Sequence, residues 1–277
     1  FEKMVNFNFT FPLQLQRGTH FYEMLELSNE FVFQTTHNAI LSTTKKLLDK
    51  KIAEQAKQLC LEAIDTAEKL GADLVTIWLG YDGFDYSFQI PYEKTWSQLV
   101  KAFKEIASYN KKIKISIEYK PFQPRAFSMI SSIGTTLLMV SETEEENIGV
   151  TLDYCHMLMK GENPAYGLSL AAERKKLYGV HMNDGHGLND DGLITGSVTF
   201  IKTLEFIYYL KKYSYDGVIY FDTFPIRENG IDEVRKNIEI YEKLESLVEK
   251  IGIEKIGNIV SGNDAVKAQN ILLECLG

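Results

Sequence analysis

Residues 114–121 read Lys-Ile-Ser-Ile-Glu-Tyr-Lys-Pro, a short run of β-forming residues that ends in charged side chains. Near-continuous runs of this kind are typical of strands that are buried on both faces of a parallel sheet. Five more such runs occur along the chain, at residues 4–10, 73–80, 147–156, 178–184 and 217–225. The sequence therefore predicts six strands of a buried parallel sheet.

Segments with helical periodicity separate most of these runs. Residues 44–70 carry one apolar stripe that includes Leu48, Ile52 and Leu59, and Gly71 follows as a helix C-cap. The same periodicity predicts further helices at residues 91–109, 127–140, 165–177, 198–213, 232–249 and 263–275. Residues 18–38 show no clear periodicity, and we expect a long loop there.

Alternating strands and helices predict an α/β protein with a parallel sheet, either doubly wound or closed into a barrel. Six strand–helix units are two short of a (β/α)8 TIM barrel, and the chain opens on a strand-like run without Met at position 1. We expect a barrel whose first two β/α units are absent, although an open six-stranded sheet fits the pattern too. Residues 1–277 form one predicted domain, with barrel units in residues 1–230 and added helices in residues 231–277.

Charge and composition exclude several classes of protein. The net charge of −8 argues against binding nucleic acid through phosphates, which requires a basic surface. Runs of ~18 apolar residues, which a membrane span requires, are absent, and the N-terminus lacks the pattern of a signal peptide. Cys60, Cys155 and Cys275 are too scattered for a disulfide framework. We therefore expect a cytoplasmic protein.

The polar residues that interrupt the predicted strands indicate chemistry. Glu118, Asp153, His181 and Asp222 lie at the ends of four successive runs. In a parallel barrel these ends meet on one rim, where active sites lie. Carboxylates and an imidazole gathered there predict a site for a divalent metal, with Mn²⁺ expected and Mg²⁺, Co²⁺ or Zn²⁺ as alternatives.

Each of these residues also has a simpler interpretation. Glu118 could form a buried ion pair with Lys120, which lies two residues further on the same predicted strand face. Asp153 could cap a helix, His181 could be a hydrogen-bonded core residue, and Asp222 could form a turn. Four such coincidences on consecutive strand ends are less frequent than one, so the metal site is the stronger hypothesis.

A second metal is a separate hypothesis, because residues 183–197 contain several acids and a histidine. Asp190, together with His156, would supply its ligands. A solvated loop rich in Gly, Asp and Asn is the alternative interpretation of the same residues.

The residues quoted above resemble the xylose-isomerase-like TIM-barrel superfamily, and within it the branch around L-rhamnose isomerase, over residues 73–225. The resemblance aligns the first run with the third barrel strand and implies that Glu118, Asp153, His181 and Asp222 hold the metal. The family pattern also places Lys120 against the sugar's terminal oxygens and His156 on a second, catalytic metal. It takes the second metal's carboxylates from the stretch that begins His181-x-Asn183-Asp184.

Other positions agree with the family less completely. Trp78 and Asp82 fall where the family places a Trp against the sugar and a nearby acid. The Asp-Asp-Asp loop of rhamnose isomerases appears here as Asn189-Asp190-Asp191, displaced by one residue. The family's early-strand catalytic histidine has no counterpart that we can assign, since His20 and His37 lie in the unpatterned segment.

The resemblance implies an isomerase that interconverts an aldose and a ketose. The metal would polarise the carbonyl, Lys120 would stabilise the developing negative charge, and Asp222 would relay a proton. Trp78 and Phe224 would pack against the sugar, with His156 also in contact with it. The expected partners are a small sugar and further copies of the chain in a dimer or tetramer.

Three rival functions remain open on the sequence. In a ketose 2- or 3-epimerase of the same superfamily, Glu118 and Asp222 would exchange a proton across the substrate. A catalytically silent sugar-binding barrel would keep the metal as a structural element. Apurinic-site endonuclease chemistry uses a similar cluster, but the net charge of −8 argues against it.

Overall fold

The computed structural model describes residues 9–10, 30–34, 50–79 and 82–276. Within these residues, parallel strands form one sheet in which every strand pairs with the next strand of the sequence. The strands are β1 (Phe9–Thr10), β2 (Glu30–Gln34), β3 (Leu74–Trp78), β4 (Lys114–Glu118), β5 (Ile148–Asp153), β6 (Leu177–Met182) and β7 (Ile219–Phe221). A doubly wound sheet reverses its strand order at a switch point, whereas a barrel keeps the order sequential. The observed order is therefore that of the predicted TIM barrel, here as a curled half-barrel.

Strand β2 corrects one expectation. It lies inside residues 18–38, which the sequence predicted to be a loop, and it pairs in parallel with β1 on one side and β3 on the other. The described residues therefore contain seven strands where the sequence predicted six. The expectation that two β/α units are absent was based on the lower number. The five residues of β2 lie in a segment that shows no periodicity on either side, so no strand–helix unit was visible there.

Helices lie between most of the strands and after the last one. They are α1 (Lys50–Leu70), α2 (Tyr92–Tyr109), α3 (Ile133–Thr143), α4 (Tyr154–Lys160), α5 (Pro164–Glu173), α6 (Phe200–Lys212), α7 (Gly230–Ile251), α8 (Ile253–Ser261) and α9 (Ala265–Leu276). The predicted start of the first helix, at residues 44–49, lies outside the described residues. None of the helices in the described ranges is both long and apolar enough to cross a membrane.

Helix boundaries differ from the predictions where capping residues decide them. Helix α3 begins six residues later than expected because Ser132 and Thr135 form a capping box. Helix α4 begins inside the predicted fourth strand because the Asp153 side chain accepts a hydrogen bond from the backbone N–H of His156. Helix α8 was not predicted. Only Gly252 lies between it and α7, so the sequence shows no loop that would mark the start of a new helix.

Small polar residues fill the inner face of the sheet below the strand ends. The hydroxyl oxygens of Thr76, Ser116 and Thr151 lie 2.7–3.2 Å from one another, and all three side chains are fully buried. Each hydroxyl residue stands two positions before a strand-end residue, so both point to the same face. Gly179 completes the layer on β6, opposite Thr151. This layer supports the strand ends from below without large side chains.

Gly179→Ala should destabilise the protein by about 1–3 kcal/mol, because overfilling a packed interior forces neighbours to move. A Cβ at position 179 would lie 2.3 Å from the Thr151 hydroxyl oxygen. Denaturant unfolding measures the effect, and the added change Thr151→Ala should recover part of the loss. Gly134→Ala is the matched control, since its nearest neighbour lies 3.8 Å away. Equal stability of the Gly179 and Gly134 variants would contradict this packing.

Candidate metal centre

Four predicted site residues come together above the hydroxyl layer. Glu118 ends β4, Asp153 ends β5, His181 lies on β6 and Asp222 directly follows β7. Their exposed fractions are only 2%, 1%, 1% and 5%. One potential ligand atom of each lies within 4.8 Å of those of the other three. Strands β4 and β7 would stand ~14 Å apart in a flat sheet, so the curl of the sheet lets their side chains meet.

Asn183 holds Asp153 in place from the next strand. Its amide nitrogen lies 3.0 and 3.3 Å from the two carboxylate oxygens of Asp153 and also donates to the Asp222 carbonyl. Its side-chain oxygen accepts from the backbone N–H of Cys155. The sequence interpretation quoted Asn183 only as part of a motif and gave it no role of its own. Asp153 also caps α4, as one interpretation of the sequence predicted, and this capping is compatible with a role as a metal ligand.

The electrostatics of the group call for a cation. Burial, the carboxylates of Asp153 and Glu118 and other neighbouring charges raise the pKa of Asp222 to about 7. Burial is also the main cause that raises the pKa of Asp153 to about 6, against the opposing charge of His156. Three carboxylates buried together repel one another, and a divalent cation between them would remove that repulsion.

The available donor atoms fit such an ion. Asp222 Oδ1 is buried and has no hydrogen-bond partner among the described residues, and His181 Nδ1 lies 3.3 Å from Glu118 Oε2. Three carboxylates and one imidazole form a mixed O/N set that accepts Mn²⁺, Mg²⁺, Co²⁺ or Zn²⁺.

A second group lies beside the first. Asp190 Oδ2 is 2.8 Å from Lys120 Nζ and 3.2 Å from His156 Nε2. The ion pair of Lys120 is therefore with Asp190 and not, as one interpretation of the sequence had it, with Glu118. Burial alone would lower the pKa of His156, but the charges of Asp153, Asp190 and Glu118 raise it to about 9. The positive charges of His156 and Lys120 hold the pKa of Asp190 below its usual range despite burial.

The other acids of the same loop have structural roles. The Asp184 carboxylate accepts hydrogen bonds from the backbone of Val198 and Thr199, at the start of α6, and from Gly185. Asp191 accepts from the backbone N–H of His186. Asp184 belongs to neither group of potential metal ligands in the described residues, and its oxygens accept from the backbone and from the Thr199 hydroxyl.

The predicted sugar-binding residues lie at the rim. Trp78 ends β3 in register with Glu118, and Lys120 Nζ lies 5.5 Å from the centre of its ring. Phe224 is partly exposed, and its backbone N–H donates to the Gly192 carbonyl at 2.9 Å. Asp82 is buried, accepts from the Ile130 N–H at 2.9 Å, and has a pKa that burial raises to about 7. His20 and His37 lie outside the described residues.

Known proteins share this arrangement of strands and helices. The xylose isomerase of Thermus thermophilus is 24% identical over 192 residues, which are 66% of this chain and 50% of that protein. The chain thus spans about half the length of the curated relatives that it matches.

Two solved structures illustrate the shared fold. A D-tagatose 3-epimerase-like protein superposes with a TM-score of 0.67 at 22% identity, over 84% of this chain and 87% of the other. The IOLI protein with a binding zinc atom superposes with a TM-score of 0.60 at 16% identity, over 78% and 76%.

The match to a family model supplies the classification. That model, described as xylose isomerase-like TIM barrel, covers residues 32–244, which is well over half of the chain. The rhamnose isomerase branch expected from the sequence is not singled out by these comparisons. The chain belongs to the xylose isomerase-like TIM barrel family.

Proposed function

We propose that this protein is a divalent-metal-dependent enzyme that isomerises or epimerises a neutral sugar at a carbon next to its carbonyl group. The observation that carries the proposal is the buried group of Glu118, Asp153, His181 and Asp222, whose potential ligand atoms lie within 4.8 Å of one another. Mn²⁺ is our first candidate for the metal. The zinc in the IOLI structure supports a divalent ion on this fold without identifying it.

A sugar without phosphate suits the helix N-termini beside the centre. In many barrels the helix N-termini after the seventh and eighth strands bind phosphate. Here the buried Asp184 carboxylate accepts from the backbone N–H groups of Val198 and Thr199, directly before α6, and so places a negative charge beside that N-terminus. Asn229 caps α7, whose first turn carries Asp232 and Glu233. These internal acceptors and acids leave both termini unfavourable for another anion.

The roles of the side chains follow from their positions. A bound metal would act as a Lewis acid on the sugar's carbonyl oxygen. Asp222 lies at the metal site and would serve as the general base that accepts and returns a proton. Lys120 would place a positive charge near the oxygen that gains negative charge. Trp78 and Phe224 would pack against the apolar face of the sugar.

Epimerisation of a ketose is the form of this reaction that we favour. Glu118 and Asp222 come from strands that have β5 and β6 between them, so each carboxylate can approach the substrate from its own side. One would remove a proton and the other would return one, which inverts the carbon between them. The fold shared with a D-tagatose 3-epimerase-like protein supports the same choice. Aldose–ketose isomerisation is the second candidate, supported by the resemblance of the Glu118-x-Lys120 stretch to that of rhamnose isomerases.

Incubation of the Mn²⁺-loaded protein with neutral five- and six-carbon ketoses in D₂O tests the proposal. We expect an epimeric ketose that carries one solvent deuteron at the inverted carbon, because the carboxylate that returns a proton is not the one that removed it and carries deuterium from the solvent. An aldose product would indicate the isomerase. Chromatography and NMR spectroscopy of the products make the measurement. The phosphate ester of an active ketose should react at least ~100-fold more slowly.

Variants assign the activity to the site. Asp222→Asn should lower kcat at least ~100-fold, because it removes a metal ligand together with the general base. Asp232→Asn, in the exposed first turn of α7, is the matched control and should keep full activity. Metal-loaded protein that leaves all neutral ketoses and aldoses unchanged would contradict an enzymatic role and favour a silent sugar-binding barrel.

Asp222→Asn should also change stability in opposite directions with and without metal. The folded pKa of Asp222 is about 7, above the value of ~3.9 in an unfolded chain, so its stabilising contribution exists below pH 4 and is lost as pH rises through 7. Removing the charge should therefore raise the Tm of metal-free protein at pH 8 by at least ~3 °C.

Added Mn²⁺ should raise the Tm of the wild type at pH 8 and have little effect on Asp222→Asn. This stabilisation should weaken as pH falls from 8 to 5.5, since protons compete for Asp222 and Asp153. Thermal denaturation across this range makes the measurement. A metal-free variant less stable than the wild type at pH 8 would show that Asp222 carries no buried repulsion.

A further inference from the structure

The group of Lys120, His156 and Asp190 occupies the position for which the sequence predicted a second metal. The side chains of Lys120 and His156 are buried, and both donate to the same oxygen of Asp190, at 2.8 and 3.2 Å. Lys120 is further held by Trp78, 5.5 Å from the ring centre. The negative charge of Asp190 is therefore already paired with the ammonium group of Lys120 and with His156.

A second divalent ion there would have few protein ligands and would bind weakly. Asp153, His156 and Asp190 could face one, but Asp153 also belongs to the first centre. The neighbouring position 189 is Asn, and the Asp191 carboxylate accepts from the His186 backbone. Asp190 is then the one carboxylate that the described part of this loop offers to a second ion. A closed metal site normally has at least four ligands.

The position of Lys120 makes a second ion still less favourable. A metal bound to Asp190 at ~2.1 Å would lie no more than about 5 Å from the ammonium nitrogen if both used the same oxygen. Two cations at that distance in a buried site repel each other strongly, because little water screens them. His156 could ligate through Nε2 only after giving up its hydrogen bond to Asp190.

We propose that Lys120 takes the place of the second metal, so that the protein works with one divalent ion per chain. This inference rests on the proposed function for the first ion. Asp190 Oδ1 is buried without a hydrogen-bond partner in the described ranges, and it is left to accept a hydrogen bond from a sugar hydroxyl. Lys120 and Asp190 together then bind the substrate end that a second metal would hold in a two-metal isomerase.

Calorimetric titration of metal-stripped protein with Co²⁺ tests the inference without any measurement of activity. The wild type should bind one ion per chain. Lys120→Met removes the charge at similar length and should take up a second ion at least ~10-fold more tightly than the wild type, in which any second binding is weak. Lys120→Arg keeps the charge and should bind one. The double variant Lys120→Met, Asp190→Asn should return to one.

Lys160→Met, an exposed lysine at the end of α4, is the matched control and should bind one ion. Circular dichroism checks that each variant is folded. If Lys120→Met does not fold, the number of ions bound by the wild type and by Lys120→Arg still tests the inference. Two ions in the wild type would overturn the inference while leaving the proposed function intact. A single ion in folded Lys120→Met would also overturn it. No ion in the wild type would instead refute the metal centre itself.

Discussion

The main physical constraint on this site is the repulsion among three carboxylates that the curled sheet buries side by side. Glu118, Asp153 and Asp222 come from three strands, and each is almost completely removed from solvent. Proteins tolerate such a group when protons or a cation neutralise it. The raised pKa values of Asp153 and Asp222 reflect the metal-free side of this balance, in which both carboxyls lose their protons at higher pH than an exposed Asp. A divalent ion would be the alternative occupant, so the fold holds its site residues in an arrangement that favours metal.

Neighbouring features keep this group in position. The hydroxyl layer of Thr76, Ser116 and Thr151 supports it from below, and Gly179 lets β6 approach Thr151 closely. Asn183 joins Asp153 to the backbone of Asp222 across two strands. These buried contacts oppose movement of Asp153 away from the other two carboxylates. The rigidity that would orient a substrate is thus the same rigidity that makes the metal-free state costly.

The sequence allowed the first centre to be predicted because strand ends are visible in it. An acid or a histidine at the end of each buried run is a local signal, and parallel strands bring such ends together. The Lys120–Asp190 contact could not be predicted in this way, since it joins residues 70 positions apart through a loop conformation. Asp184 and Asp190 look equivalent in the sequence, but Asp184 binds the backbone just before α6, whereas Asp190 contacts His156 at the site. Strand β2 was missed because its five residues lie in a segment without other periodicity.

Binding of one divalent metal by Glu118, Asp153, His181 and Asp222 can be tested by anomalous X-ray diffraction at the manganese edge, from crystals grown with Mn²⁺. We expect one strong anomalous peak among these four side chains, and none in Glu118→Gln crystals treated identically. A wild-type map with no peak there would contradict it, as would a peak elsewhere in the molecule. Glu118, Asp153 and Asp222 would then share protons in place of a metal.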